Sequence, residues 1–221
     1  MQQQNVKEFL TKNIFAWCFY AFVVLGIYPL VMWSKQYANV LVNDHIANYT
    51  LDSIFILYSQ AFEGWCIVLI SLVMLFVSKK KLMMFICVGI LCWLITMLCK
   101  DLIFGNIPRP TKLMPLQSFR HILKDVSVYK EYYSFPSGHS MLAFSVMSMF
   151  ASFSKRKIWG ILFFLIAFCA AFSRIYLLQH FYVDTYVGAI LGVGITVLVI
   201  YLFTNRFSVS DDPLLPLKRK N

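Results

Sequence analysis

The chain has 221 residues, of which 60% are hydrophobic and only 14% are charged, and its formal net charge is +10. Soluble domains are about 45–50% apolar and about 25% charged, so this composition excludes a large soluble domain and a disordered chain. The apolar runs are continuous rather than alternating, which also excludes a membrane β-barrel.

Long apolar stretches predict an all-α integral membrane protein, because a spanning helix needs about 20 mostly apolar residues. Six such stretches follow in chain order, at residues 13–33, 53–78, 82–99, 140–154, 158–173 and 185–205. The fourth is short, and the fifth is expected to continue to about residue 178. We therefore predict a single membrane domain over residues 1–221, built as a bundle of six helices.

One acidic residue, Glu63, lies inside the second predicted span. An ionisable group within a span suggests a functional role by default. It can pair with a basic site residue or contact a lipid headgroup. It can equally be a neutral, hydrogen-bonded structural group, and the sequence does not decide between these roles.

The basic residues are unequally divided by the six predicted spans. Twelve lie at the two termini and in the short turns on the same side: Lys7, Lys12, Lys79, Lys80, Lys81, Lys155, Arg156, Lys157, Arg206, Lys218, Arg219 and Lys220. Because Lys and Arg collect in cytoplasmic segments, both termini are predicted to be cytoplasmic. This division accounts for much of the positive charge and disfavours a nucleic-acid partner.

The other eight basic residues break that rule: Lys35, Lys100, Arg109, Lys112, Arg120, Lys124, Lys130 and Arg174. An excess of cations on the outer side indicates an anionic ligand there. Most of them fall in or beside a long outer loop, residues 101–136, whose four prolines exclude one continuous helix. Within this loop, the pattern at residues 118–129 predicts a short amphipathic segment along the membrane interface. The other outer segment, residues 34–52, is predicted to be a polar loop.

Three outer clusters combine residue types that suit a phosphate group. Lys100, Arg109 and Arg174 supply cationic donors for phosphate oxygens. Ser137 and Gly138 open a helix, where free backbone N–H groups favour an anion. No Cys/His or acidic spacing typical of a metal site is present, so no metal and no cofactor is expected.

The same clusters hold the groups needed to transfer a phosphoryl group. If the last span begins near residue 181, His180 and Asp184 are about one helical turn apart. The carboxylate can then hold one imidazole nitrogen and leave the other as a nucleophile. His139 remains as a general acid for the leaving oxygen. The pattern predicts phosphoryl transfer through a phosphohistidine.

These clusters resemble the motifs K-x6-RP, PSGH and SR-x5-H-x3-D of the type-2 phosphatidic acid phosphatase family. Residues 136–139 match the second motif in full, and residues 173–184 match the third. The first motif departs, because eight residues separate Lys100 from Arg109. Either the loop bulges by two residues, or Lys100 is not the family lysine. The resemblance covers roughly spans three to six, with a motif core at about residues 82–205.

The resemblance implies a six-helix bundle with its active site at the outer, periplasmic face of the membrane. It implies His180 as the nucleophile, Asp184 as its orienting carboxylate and His139 as the general acid. It also implies a set of residues that bind the substrate phosphate, which are Lys100, Arg109, Ser137, Gly138 and Arg174.

We therefore expect hydrolysis of a phosphate group from a lipid in the bacterial inner membrane. Lipid A is the leading substrate, because the further outer cations Lys112, Arg120, Lys124 and Lys130 suit a polyanionic headgroup. Undecaprenyl pyrophosphate, phosphatidylglycerophosphate and phosphatidic acid are the alternatives. A non-catalytic phospholipid-binding or transport protein is an alternative of a different class, although binding alone needs no nucleophile. The sequence does not predict an oligomeric state.

Overall fold

The computed structural model describes residues 5–114, 119–121 and 131–216, and within these residues the regular structure is entirely helical. A π-helical segment, Leu98–Ile103, directly continues the sixth α-helix. The α-helices are, in chain order, α1 (Val6–Lys12), α2 (Ile14–Met32), α3 (Tyr37–His45), α4 (Tyr49–Ala61), α5 (Trp65–Met74), α6 (Lys79–Met97), α7 (Pro110–Leu113), α8 (Gly138–Ser152), α9 (Lys157–Tyr176) and α10 (Tyr182–Asn205).

Four helical segments of the described chain are long and apolar enough to cross a membrane. They are α2, α6 together with its π-helical extension, α9 and α10. Helices α4 and α5 reach the required length only as a pair, which is bent by 57° and would make a fifth span. The prediction of an all-helical membrane protein is confirmed, whereas the number of six spans stays a prediction.

The second predicted span is not one continuous helix. It begins earlier, at Tyr49, and breaks at residues 62–64. There the Glu63 N–H donates to the Gln60 carbonyl at 3.2 Å and the Cys66 N–H to the Glu63 carbonyl at 3.0 Å. These short-range bonds replace the regular helical ladder, so the helix axis changes direction at the acidic residue.

The fourth predicted span corresponds to α8, which lies at the centre of the molecule. It has 15 residues and is therefore about 22 Å long, shorter than the roughly 30 Å of a bilayer hydrocarbon core. It packs mainly against α10 and α9, with α6 on a further side. Because other helices enclose it, most of its side chains are buried in protein rather than facing lipid.

Helices α8 and α10 approach each other very closely at two glycines of α10. A Cβ atom at Gly192 would lie 2.3 Å from the Met141 carbonyl oxygen, and one at Gly188 would lie 2.6 Å from the Ser137 carbonyl oxygen. The Ser145 hydroxyl also donates to the Gly192 carbonyl at 2.8 Å. The small residues of α10 therefore serve helix packing within the chain.

The basic turns lie at the end of the bundle opposite the predicted site. The Asn13 side-chain amide, at the start of α2, donates to the Ala151 carbonyl near the end of α8 at 2.8 Å. The Lys79 N–H, at the start of α6, donates to the Asp212 carbonyl in the C-terminal tail at 2.8 Å. This shared end agrees with the predicted topology, while the side of the membrane that it faces stays a prediction.

The prediction of a polar loop at residues 34–52 is wrong, because this segment contains α3. Two of its asparagines, Asn39 and Asn43, are buried. The Asn39 amide donates to the carbonyls of Ile175 and His180 at 3.0 and 3.1 Å. These two hydrogen bonds hold α3 against the turn that carries His180, and they explain the burial of an amide that the sequence alone indicates as exposed.

The predicted amphipathic segment at residues 118–129 lies outside the described residues except at 119–121. Of these, Phe119 is buried in a cluster with Leu178 and Phe181. Lys124 and Lys130 likewise lie outside the described residues.

Candidate active site

The turn after α9 brings His180 back to Arg174. The Arg174 carbonyl accepts hydrogen bonds from the N–H groups of Gln179 and His180, at 3.0 and 3.1 Å. Leu178 adopts the left-handed region with φ of 55°, which lets the chain reverse within a few residues. The five residues between Arg174 and His180 therefore form one tight turn, which places both side chains at the same end of the bundle.

Asp184 lies in the first turn of α10 and is fixed by two donors. Its Oδ2 atom accepts from the Ser134 hydroxyl at 2.5 Å and from the Phe181 N–H at 2.9 Å. The same oxygen is 3.6 Å from Nδ1 of His180. That distance is longer than a hydrogen bond, and catalytic hydrogen bonds of this kind commonly tighten in the substrate complex. The carboxylate thus stands where an orienting group is expected.

The surroundings of His180 favour its neutral form. Burial lowers the pKa of the imidazole well below its usual value, and the charges of Arg109, Arg174 and Lys100 lower it further. The backbone carbonyl of Ser134 acts in the opposite direction. This environment keeps the imidazole unprotonated at neutral pH, which is the form that a nucleophilic role would require.

A cavity of about 250 Å³ lies among the predicted phosphate-binding residues. Three cationic side chains contribute to its wall, so an anion inside would be attracted from several directions. His180 is only 1% exposed and lies behind the wall rather than in it. The lining residues are Lys100, Asp101, Arg109, Tyr133, His139, Arg174 and Gln179.

Two buried nitrogens at this cavity have no hydrogen-bond partner among the described residues. They are Nε2 of His139 and Nε of Arg174. Buried polar atoms normally have partners, so these two atoms are suited to contact a ligand. Another nitrogen of Arg174, Nη1, donates to the Ser59 hydroxyl of α4, which fixes the guanidinium against the cavity wall.

The guanidinium of Arg109 is positioned from the opposite wall. Its Nε donates to the Tyr132 carbonyl at 3.0 Å. Its Nη1 donates to Oε1 and to the backbone carbonyl of Gln179, at 2.9 and 3.2 Å. Burial lowers the pKa of Arg109, and the charge of Asp184 partly opposes this effect. The side chain is therefore preorganised beside the residue that precedes His180.

Lys100 lines the cavity despite its unusual distance from Arg109 along the chain. It lies in the π-helical segment, whose wider turns each contain more residues than an α-helical turn. A turn then follows, in which the Ile107 N–H donates to the Phe104 carbonyl at 3.1 Å. These two features supply the extra chain length. Of the two interpretations of the first motif, the structure supports the bulge.

Ser137 and Gly138 are not in the wall of this cavity. Ser137 caps α8 through its side-chain oxygen, which accepts from the Ser140 N–H at 3.4 Å. Its own N–H donates to the Asp184 carbonyl at 3.0 Å, so that donor is already used within the protein. Gly138 instead lines a neighbouring apolar groove.

That groove has a volume of about 940 Å³ and lies between α5, α6 and α8. It extends from Thr96, Gly138 and His139 at the site end to Leu75 and Leu82 at the other end. His139 lines both the groove and the polar cavity. A polar compartment and an apolar one therefore meet at the predicted general acid.

Sequence reasoning gave no individual role to several residues that shape the site: Asn39, Asp101, Ser134 and Gln179. Ser134 and Gln179 each stand beside a motif. Gln179 is also a polar residue that follows two leucines, in the Leu-Leu-Gln-His run at residues 177–180, and this pattern could have indicated its role. Asn39 had no such signal, because its partners are distant in the chain. Among the described residues, no group of three or more His, Cys, Asp or Glu side chains could hold a metal ion.

Comparisons with known proteins place the chain in a family. A sequence model of the PAP2 superfamily matches residues 80–208, which is more than half of the chain. No curated protein sequence matches.

Two solved structures resemble the fold, each with 23% sequence identity. The crystal structure of LpxE from Aquifex aeolicus has a TM-score of 0.64, over 75% of this chain and 94% of that one. The transmembrane PAP2-type phosphatidylglycerolphosphate phosphatase from Bacillus subtilis has a TM-score of 0.57, over 82% of this chain and 92% of that one. Together with the motif geometry, the family match shows that this chain belongs to the PAP2 superfamily, whose members are lipid phosphatases.

Proposed function

We propose that the chain hydrolyses a phosphate group from a membrane lipid, without a metal ion and through a phosphohistidine intermediate. The observation that carries this proposal is the arrangement at the end of α9 and the start of α10. There His180 lies between an orienting Asp184 and a cavity with three cationic residues. A purely binding site would not need the histidine and carboxylate pair.

The chemistry follows from the positions of the side chains. A lipid phosphate enters the cavity and is bound by Lys100, Arg109 and Arg174. The unprotonated nitrogen of His180 attacks phosphorus while the bond from phosphorus to the lipid oxygen breaks. An anion bound beside His139 favours the protonated form of this imidazole, which gives its proton to that leaving oxygen. Water then attacks phosphorus and gives a proton to His139, while the bond from phosphorus to the His180 nitrogen breaks. Inorganic phosphate leaves, and His180 is free again.

The groove beside His139 supports a lipid as the substrate, because its wall is formed by apolar side chains of α5, α6 and α8. A phosphate held in the polar cavity would have its acyl chains next to this wall. The acyl chains would then stay in an apolar environment while the phosphate reaches the cationic cavity.

Lipid A remains the leading substrate. LpxE, one of the two structural neighbours, is a lipid A phosphatase, and the other neighbour acts on phosphatidylglycerolphosphate. The argument from additional outer cations is weaker than the sequence indicated. Lys112 is paired with Glu131 at 2.7 Å, and Arg120 donates to the Asp44 carbonyl at 3.0 Å. Undecaprenyl pyrophosphate, phosphatidylglycerophosphate and phosphatidic acid are the alternative substrates.

We place the site at the periplasmic face of a bacterial inner membrane. The basic runs at residues 79–81 and 155–157 lie at the starts of α6 and α9, and the opposite ends of these two helical segments carry Lys100 and Arg174 at the cavity. Lys and Arg are typical of cytoplasmic segments, so the cavity end faces outwards in this topology.

The test is phosphate release by detergent-purified protein in the presence of EDTA, with each of the four lipids. His180→Ala should reduce the release by roughly 10³-fold or more, because the covalent step is lost. His45→Ala is the matched control, since His45 is an exposed histidine at the end of α3, and it should retain full activity. Folding of each variant is checked by thermal unfolding.

Three results would contradict the proposal. Activity that survives in His180→Ala would remove this residue as the nucleophile. Loss of activity in EDTA that is restored by a divalent cation would show a metal requirement. No release from any lipid by folded wild-type protein would favour the non-catalytic binding or transport alternative.

A further inference from the structure

The acidic residue inside the second span lies at the mouth of the apolar groove. Glu63 occupies the break between α4 and α5 and lines the groove together with Gly64 and His139. Its side chain is exposed. It makes no hydrogen bond or ion pair with any described residue. These facts argue against the neutral, hydrogen-bonded structural role that the sequence left open.

The carboxylate of Glu63 lies close to the polar cavity as well as to the groove. Its charge interacts with that of Arg174, and Nη1 of Arg174 donates to the hydroxyl of Ser59, one turn earlier in α4. The end of α4 therefore holds Glu63 at the junction of the two compartments. A lipid with its phosphate in the cavity would place the atoms next to that phosphate at this junction.

The space beside Glu63 is open. A Cβ atom built on Gly64 would meet no other atom within 4 Å. Gly64 has helical dihedral angles, with φ of −54° and ψ of −27°, so its conformation does not require glycine. The absence of a side chain at this position thus leaves room for a headgroup next to an unpaired carboxylate.

We propose that Glu63 is a specificity-determining residue that recognises the part of the headgroup adjoining the phosphate. This inference rests on the proposed lipid phosphatase function. A carboxylate accepts hydrogen bonds and donates none, so it favours headgroups with hydroxyl or amide N–H groups at this position. It repels a second phosphate there, because like charges at short distance are unfavourable. A glycosyl phosphate with hydroxyl and amide groups, such as lipid A, fits better than a lipid pyrophosphate.

Glu63→Gln keeps the shape of the side chain and removes its charge. We measure kcat/KM for lipid A and for undecaprenyl pyrophosphate, in the same detergent, with wild-type and variant protein. The ratio of the two values should move about tenfold towards the pyrophosphate, because a charge-assisted hydrogen bond is lost and a repulsion is removed. A purely structural role would lower both values alike and leave the ratio unchanged.

Glu131→Gln is the matched control. This carboxylate is also on the site side of the bundle, but it is paired with Lys112 and is not part of the groove. Its removal should leave the substrate ratio unchanged. An equal shift in this control would show a general effect of net charge and would overturn the role of Glu63.

Gly64→Leu provides a test that depends on space instead of charge. The added side chain should fill the room beside Glu63 and reduce kcat/KM for lipid A by about tenfold or more. Hydrolysis of a small soluble phosphomonoester such as p-nitrophenyl phosphate should change much less, because it needs only the cavity. Equal losses with both substrates would contradict a headgroup position at residue 64.

The two proposals fail in different ways. If wild-type protein hydrolyses none of these substrates, the phosphatase function fails and this inference fails with it. If wild-type protein is active and His180→Ala is inactive, but Glu63→Gln leaves the ratio unchanged, only the specificity role of Glu63 is wrong.

Discussion

The two sides of the polar cavity differ in how tightly they are packed. On one side, α8, α9 and α10 form a dense core in which backbone atoms of α8 and α10 are in near contact at Gly188 and Gly192. On the other side, α4 is broken from α5, and an open groove lies between α5, α6 and α8. The predicted catalytic groups His139, His180 and Asp184 come from the dense side, where small displacements are costly. The open side leaves space for a large, flexible substrate.

The largest effect is expected from the orienting carboxylate on the dense side. Asp184→Asn keeps the shape of the side chain and its place beside Ser134 and Phe181. It removes the charge that orients His180, so kcat should fall on the order of 10³-fold. The measurement is steady-state phosphate release, with thermal unfolding of the variant as the check on folding. A variant with near wild-type kcat would show that Asp184 has only a structural role.

The difference in packing itself is tested with two glycines of α10. Gly192→Ala should lower the free energy of unfolding by about 1–3 kcal/mol, because the new methyl group would overlap the Met141 carbonyl. Gly194→Ala is the matched control, since a Cβ atom there meets nothing within 4 Å. Thermal unfolding in detergent measures both. If the two variants unfold at the same temperature, the contact between α8 and α10 accommodates a methyl group, and the dense side is not tightly packed at Gly192.

A smaller effect is expected in the pH dependence of activity. Burial, followed by the charge of Arg109, lowers the pKa of His180. His180 is therefore still neutral at the pH where a free imidazole is half protonated. Removing one of these positive charges with Arg109→Gln raises that pKa. The acid limb of kcat/KM should therefore move to higher pH in the variant.

This shift is read from the position of the acid limb and not from the maximal rate, which the loss of a phosphate contact also lowers. Lys112→Gln is the control, since Lys112 is exposed and is paired with Glu131. An acid limb at the same pH in wild type and Arg109→Gln would contradict electrostatic control of His180 by Arg109.

The sequence predicted the dense side of the site better than the open side. Short motifs such as the one at residues 173–184 place their residues through a single turn, so spacing along the chain translates directly into spacing in the structure. Membership of the phosphatase family and the helical membrane architecture also followed from composition and motifs, and both are confirmed. The π-helical segment around Lys100 was not predictable, because the irregular motif spacing left open whether the loop bulges there or Lys100 is not the family lysine.

Features that depend on contacts between distant segments were not predictable. Asn39 supports the turn before His180 from a helix that the sequence presents as a polar loop. The break at Glu63 is equally hidden, because hydropathy measures the apolar character of a stretch and not the direction of its axis. The N–H of Ser137 was expected to face the phosphate, but tertiary structure directs it to the Asp184 carbonyl.

The length of the apolar groove has a consequence for the depth to which a lipid tail can reach. Between Leu82 and Thr96 the groove follows fifteen residues of α6, which corresponds to a rise of about 21 Å. One leaflet of a bilayer contributes only about 15 Å, half of the hydrocarbon thickness. A tail lying along the groove would therefore extend beyond the midplane of the bilayer before it reached the far end. Acyl chains of quite different length can be accommodated in such a groove. The atoms nearest the phosphate, and not the length of the tail, would then determine which lipid is selected.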